Sequence, residues 1–87
     1  MEKKFILKNE KGMHIRPAGV FVKAAAPFKS TVEIEFKGKK VNAKSVMILM
    51  SLGAKKGDEI TLIVNGSDEA EAIKTLGQLI EDGFGEA

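Results

Sequence analysis

An α+β fold of two layers is predicted by three features of this 87-residue sequence. Val32-Glu33-Ile34-Glu35-Phe36-Lys37 alternates apolar and charged residues without a break, the pattern of an antiparallel strand with one buried and one solvated face. Two other stretches carry apolar residues at helical spacing along one side: Ala18, Phe21, Val22 and Ala25, then Ala70, Ile73, Leu76, Ile80 and Phe84. In chain order the segments read strand, helix, strand, strand, helix, strand, helix. Helices apolar on one side, beside strands apolar on one face, enclose a core between two layers, with the first and last helices as the cover.

Each element has its own signal. Phe5-Ile6-Leu7, set between lysines, reads as a short strand closed by the polar run Asn9-Glu10-Lys11-Gly12. The alanine-rich run from Ala18 to Ala26 reads as a helix that Pro27 stops, with Gly19 weakening it slightly. After the strand at 32–37, Gly38-Lys39 supplies a turn and Lys40-Val41-Asn42-Ala43 returns as the hairpin partner. Ser45 is suited to cap a short helix from Val46 to about Leu52, ended by Gly53. Glu59 to Asn65 is a strand with Ile60, Leu62 and Val64 on one face. Ser67-Asp68-Glu69 caps a long helix, its acids placed favourably against the dipole, and Gly77 is a weak point within it.

Length and composition narrow the function. Eighty-seven residues suit one domain, 1–87, with no internal repeat or linker. Without cysteine there is no disulfide framework and no thiolate metal site. No apolar run approaches the roughly 18 residues needed to span a bilayer, and no signal-peptide pattern opens the chain; a cytoplasmic location without membrane insertion is expected. The net charge of +2 is too evenly dispersed to suggest nucleic-acid binding. One histidine and no cysteine exclude a Cys-His pair, and any Ser-His-Asp triad would have to be built on His14.

That histidine lies in Gly12-Met13-His14-Ile15-Arg16-Pro17-Ala18, where a loop runs into the first helix. The opening amides of a helix form an anion site, and Arg16 adds a fork of donors suited to phosphate. A nucleophilic ring nitrogen beside a phosphate cradle is the chemistry of a phosphoryl carrier. The spacing alone also fits a histidine that is only a polar cap or a surface residue, with Arg16 a solvated charge. The second stretch, Ser45-Val46-Met47-Ile48-Leu49-Met50, is more apolar than a short helix with one hidden side requires. Some of Val46, Met47, Ile48 and Met50 are therefore expected at the surface, where methionine-rich area suits docking, unless they all fill the core.

The first stretch resembles the phosphorylation motif of HPr, the histidine-containing phosphocarrier family of the phosphoenolpyruvate-dependent sugar phosphotransferase system. Val41-Asn42-Ala43-Lys44-Ser45-Val46-Met47 and Met50-Ser51-Leu52-Gly53 are similar to that family's second signature, around a regulatory serine. Length and element order match as well, so the resemblance covers essentially the whole chain. It implies an open-faced β-sandwich, a four-stranded antiparallel sheet covered on one face by three helices. It implies that His14 accepts the phosphoryl group on Nδ1, that Arg16 is the adjacent charge partner, and that the backbone N–H groups of Ile15 and Arg16 grip the phosphate. The implied donor is enzyme I and the implied acceptors are sugar-specific IIA domains, met through a patch of Ile15, Val46, Met47, Ile48 and Met50. A serine kinase/phosphorylase acting on Ser45 and a transcriptional regulator are further implied partners, and a monomer with no cofactor or metal is expected. Ile15 and Ile48 depart from the family pattern, which usually has a small residue and glycine there; both enlarge the apolar patch. Pro17 at the first helical position would make Arg16 the cap; the resemblance instead makes His14 the cap and moves Pro17 deeper into the first turn. Two other readings remain open from the residues: a regulator working through Ser45 alone, and a small ligand-binding module unrelated to phosphotransfer.

Overall fold

The computed structural model describes residues 1–85. The elements are β1 (Glu2–Ile6), α1 (Ile15–Ala25), β2 (Thr31–Phe36), β3 (Lys39–Asn42), α2 (Val46–Ser51), β4 (Glu59–Asn65) and α3 (Glu69–Glu81), followed by a short turn over Gly83–Gly85. The four strands form one antiparallel sheet in the order β1-β4-β2-β3. All three helices lie over one face, α3 against β1 and β4, α2 against β3, and α1 against both other helices. This is the open-faced β-sandwich in the order βαββαβα.

Alternation explains why the sheet has two unlike faces. Val32 and Ile34 of β2 and Ile60, Leu62 and Val64 of β4 point under the helices and are buried. Phe21 of α1, Leu49 of α2 and Leu76 and Ile80 of α3 close on them from above. The same strands turn a polar row outward, in which Lys4, Thr61, Glu35 and Lys40 are register neighbours across all four strands. A one-residue slip would exchange the two faces, so the pattern read in β2 sets the register of the whole sheet.

Several boundaries differ from the expectation. β1 begins at Glu2, because pairing to β4 carries its charged first half as an edge strand. The hairpin turn is Lys37-Gly38, one residue earlier than predicted, and both residues have positive φ (52° and 81°) as a two-residue hairpin loop demands. Along α3 the buried stripe is Ala72, Leu76, Gly77 and Ile80, whereas Ala70 is exposed because it lies half a turn from Ala72. Phe84 is buried but lies beyond the helix, in a left-handed conformation with φ 58°. Gly77 is no weak point: a Cβ there would meet Phe5 Cζ at 2.6 Å, so the glycine lets β1 approach α3. Asp68 occupies the cap position of α3 without capping it; its carboxylate reaches Lys29 and Ser30, between α1 and β2.

Candidate functional site

The loop before α1 is a network of backbone bonds. Gly12 N–H donates to the Asn9 carbonyl (3.1 Å), closing a four-residue turn, and His14 N–H donates to the Gly12 carbonyl (3.0 Å), closing a tighter one around Met13. Met13 N–H donates to the Ala54 carbonyl (2.9 Å) in the segment after α2, and the Met13 side chain is buried. Gly12 has φ 64° and packs against the backbone of Ala54 and Lys55 so closely that no Cβ would fit. The glycine is needed twice there, for its left-handed backbone and for the space.

His14 is the N-cap of α1, extended at φ −96° and ψ −171°, and its carbonyl accepts from Ala18 N–H (3.1 Å). Ile15 and Arg16 are the first two helical residues and Pro17 the third. The N–H groups of Ile15 and Arg16 have no carbonyl acceptor within the helix, and Pro17 has no N–H to satisfy. So the cap is His14 and not Arg16, and Pro17 sits buried in the first turn. The side chain of His14 is half-buried at the surface, and that of Arg16 is exposed. A half-buried ring at the positive end of a helix, followed by two amides and a guanidinium, can hold a tetrahedral anion.

The second stretch forms α2 as predicted, with Ser45 at the cap; its carbonyl accepts from Leu49 N–H (3.0 Å) and its hydroxyl from Ile48 N–H (3.4 Å). Leu49 is fully buried, and Val46 is half-buried against the core. Met47 is 78% exposed, Ile48 38% and Met50 37%, and Ile15 of the neighbouring α1 is 66% exposed. Of the five candidate docking residues, Val46 thus contributes least to the surface. α1 and α2 pack against each other, so the cap of each helix belongs to one helical pair.

Asn9 and Ala54 carried no sign of their part in this site. Asn9 lies in a run that reads as plain polar loop, yet it is only 2% exposed and its Nδ2 donates to the Gly12 carbonyl at 2.6 Å. Gly12 could have been found, since a glycine placed between a turn and a cap is a common site of positive φ. Carboxylates held below their ordinary range lie elsewhere: Asp68 through the Ser30 hydroxyl and the Lys29 N–H, and Glu81 through the Lys8 ammonium. Among the described residues no three His, Asp or Glu side chains converge as a metal site would require, and no helix is long and apolar enough to cross a membrane.

Residues 1–82 match a family model described as the PTS HPr component phosphorylation site. Among solved structures, HPr-C-His from Thermoanaerobacter tengcongensis is 48% identical, with 100% of this chain and 98% of that one covered at a TM-score of 0.95. The phosphocarrier protein HPr from Bacillus anthracis is 39% identical over 92% of this chain and 95% of its own, with a TM-score of 0.87. Crh, the catabolite repression protein of Bacillus subtilis, is 44% identical over 93% of both chains at a TM-score of 0.78, in a crystal structure described as a dimer with a swapped domain.

Proposed function

Since the chain belongs to the HPr family and is a phosphocarrier, not an enzyme, we propose that its phosphoryl group rides on Nδ1 of His14. The single observation behind this is the position of His14 as N-cap of α1, next to the amides of Ile15 and Arg16. The donor is a phosphohistidine of enzyme I and the acceptor a histidine of a IIA domain. The neutral imidazole attacks phosphorus; a new P–N bond forms at Nδ1 as the donor's P–N bond breaks, and the electron pair of that bond returns to the donor ring. Negative charge spreads over the three equatorial oxygens in the transition state, where the two amides and the Arg16 guanidinium meet it without reorganising. No step uses a metal or cofactor. The protein works as a monomer, docking each partner through Ile15, Met47, Ile48 and Met50, with Val46 beneath them.

Incubation with enzyme I and labelled phosphoenolpyruvate is expected to place one acid-labile label on the protein, and His14→Ala to abolish it. Label that persists in His14→Ala would overturn the assignment.

A second role is favoured by one feature, the exposed α2 with Ser45 at its cap, in a chain 44% identical to a catabolite repression protein. In this reading a serine kinase/phosphorylase modifies Ser45, and the modified protein binds a transcriptional regulator. The phosphate adds about two negative charges at a helix start, where they stabilise the helix. Both roles coexist on one chain, and acid-stable label lost in Ser45→Ala identifies the second.

A further inference from the structure

We propose that Asn9 is a positioning residue for phosphoryl transfer at His14, holding the peptide from which the reactive ring hangs. The proposal rests on His14 being the acceptor. Asn9 grips Gly12 at both ends: its carbonyl accepts the Gly12 N–H (3.1 Å), and its side-chain Nδ2 donates to the Gly12 carbonyl (2.6 Å). That same carbonyl accepts the His14 N–H (3.0 Å), so its two lone pairs serve the asparagine and the histidine. The amide is 2% exposed, and a buried donor cannot exchange its partner for water at no cost. Behind Asn9 lies Gly83 of the C-terminal turn, with room for little more than a Cβ in ordinary contact. On the other side Gly12 is pressed on Ala54 and Lys55, and Met13 N–H is bonded to Ala54. Gly12, Met13 and the N–H of His14 are thereby fixed from different sides, and Asn9 supplies the one side-chain bond among these contacts.

This matters for a carrier because transfer between two histidines needs in-line geometry, and a misplacement of about 1 Å costs on the order of a hundredfold. Asn9→Ala removes the donor and loosens the loop without touching the imidazole, the helix amides, Arg16 or the docking residues. Asn9→Asp puts an acceptor opposite the Gly12 carbonyl, which repels where the amide attracted, and is the more damaging change.

Rapid-quench measurement of transfer from phosphorylated enzyme I tests this, with the variants first shown folded by circular dichroism at the assay temperature. The expected result is a maximal rate lower by about tenfold for Asn9→Ala, and lower still for Asn9→Asp, with the KM for phosphorylated enzyme I within about twofold of the parent. A purely structural role would lower the amplitude of labelling and leave the rate constant of the folded fraction unchanged; that result, or parental kinetics, overturns the proposal. If Asn9→Ala does not fold, NMR of the parent decides. The Asn9 side-chain amide protons should exchange slowly and shift when His14 is phosphorylated, and signals indifferent to phosphorylation overturn the proposal. Parent protein that takes no label on His14 overturns the acceptor assignment and this proposal with it, a failure recognisable because no variant is involved.

Discussion

At Gly77 an added methyl group would lie 2.6 Å from Cζ and 3.1 Å from Cε1 of the buried Phe5 ring; at Gly19, in the middle of α1, it would meet nothing within 4 Å. Replacing glycine by alanine inside a helix is worth about 1 kcal/mol in propensity, whereas overpacking a tight core costs about 1–3 kcal/mol. The two effects oppose each other at Gly77 and only the favourable one acts at Gly19. Gly19→Ala is therefore expected to stabilise the protein by about 0.5–1 kcal/mol and Gly77→Ala to destabilise it by about 1 kcal/mol, read from urea midpoints at constant slope. Shifts of the same sign would show that the Phe5 ring yields. In the sequence these glycines look alike, each a small residue interrupting a helical pattern. What separates them is the arrival of β1 from the far end of the chain, which no local pattern records. Asn9 was hidden for the same reason, as one polar residue in a polar run until the fold brings the C-terminal turn against it.

At the scale of the element, α2 is the most legible part of the site. Its signals are local: a serine that caps, a glycine that stops, and more apolar residues than a six-residue helix can bury. The β2–β3 hairpin was legible as a hairpin but not in its turn, because Gly38 announces positive φ while Lys37, at φ 52°, does not. For α1 the residues alone allowed either Arg16 or His14 as the cap; burial of Pro17 in the first turn goes with His14. The brevity of α2 also makes Ser45 a clean place to add charge. Ser45→Asp keeps a capping oxygen and puts a negative charge where the helix dipole favours it, so stability should change by less than about 0.5 kcal/mol. The charge stands beside Met47 and Ile48, which dock the partner in the proposed mechanism. Phosphoryl transfer to His14 is expected to slow by on the order of tenfold, mainly through KM for enzyme I. Initial rates equal to the parent would remove Ser45 from the control of docking.

For the molecule as a whole, the sheet and helices are tied at the end of α1 by Asp68, although it stands at the cap position of its own helix. Its carboxylate instead accepts from Lys29 N–H (2.8 Å), Ser30 N–H (2.9 Å) and the hydroxyl of the buried Ser30, joining the α1–β2 connection to the start of α3. Glu69, the first residue of α3, reaches back to accept from Gly66 N–H (3.1 Å) ahead of the helix. The Ser30 hydroxyl first, and then the Lys29 N–H, hold the Asp68 carboxyl below its ordinary value of 3.8. A carboxylate whose pKa is depressed by folding stabilises the native state above its unfolded value and loses that contribution as pH falls through the folded one. Asp68→Asn removes the charge at every pH, so the variant should be the less stable of the two at pH 7. The gap should narrow below about pH 4 and close once the parent's Asp68 is protonated as well. Glu81, also depressed, through the Lys8 ammonium, titrates in both proteins and cancels from their difference. Urea unfolding of parent and variant at a series of pH values measures that difference directly. A gap that stays constant into acid would mean that Asp68 holds the two connections by its shape, and that its ionisation contributes nothing to the fold.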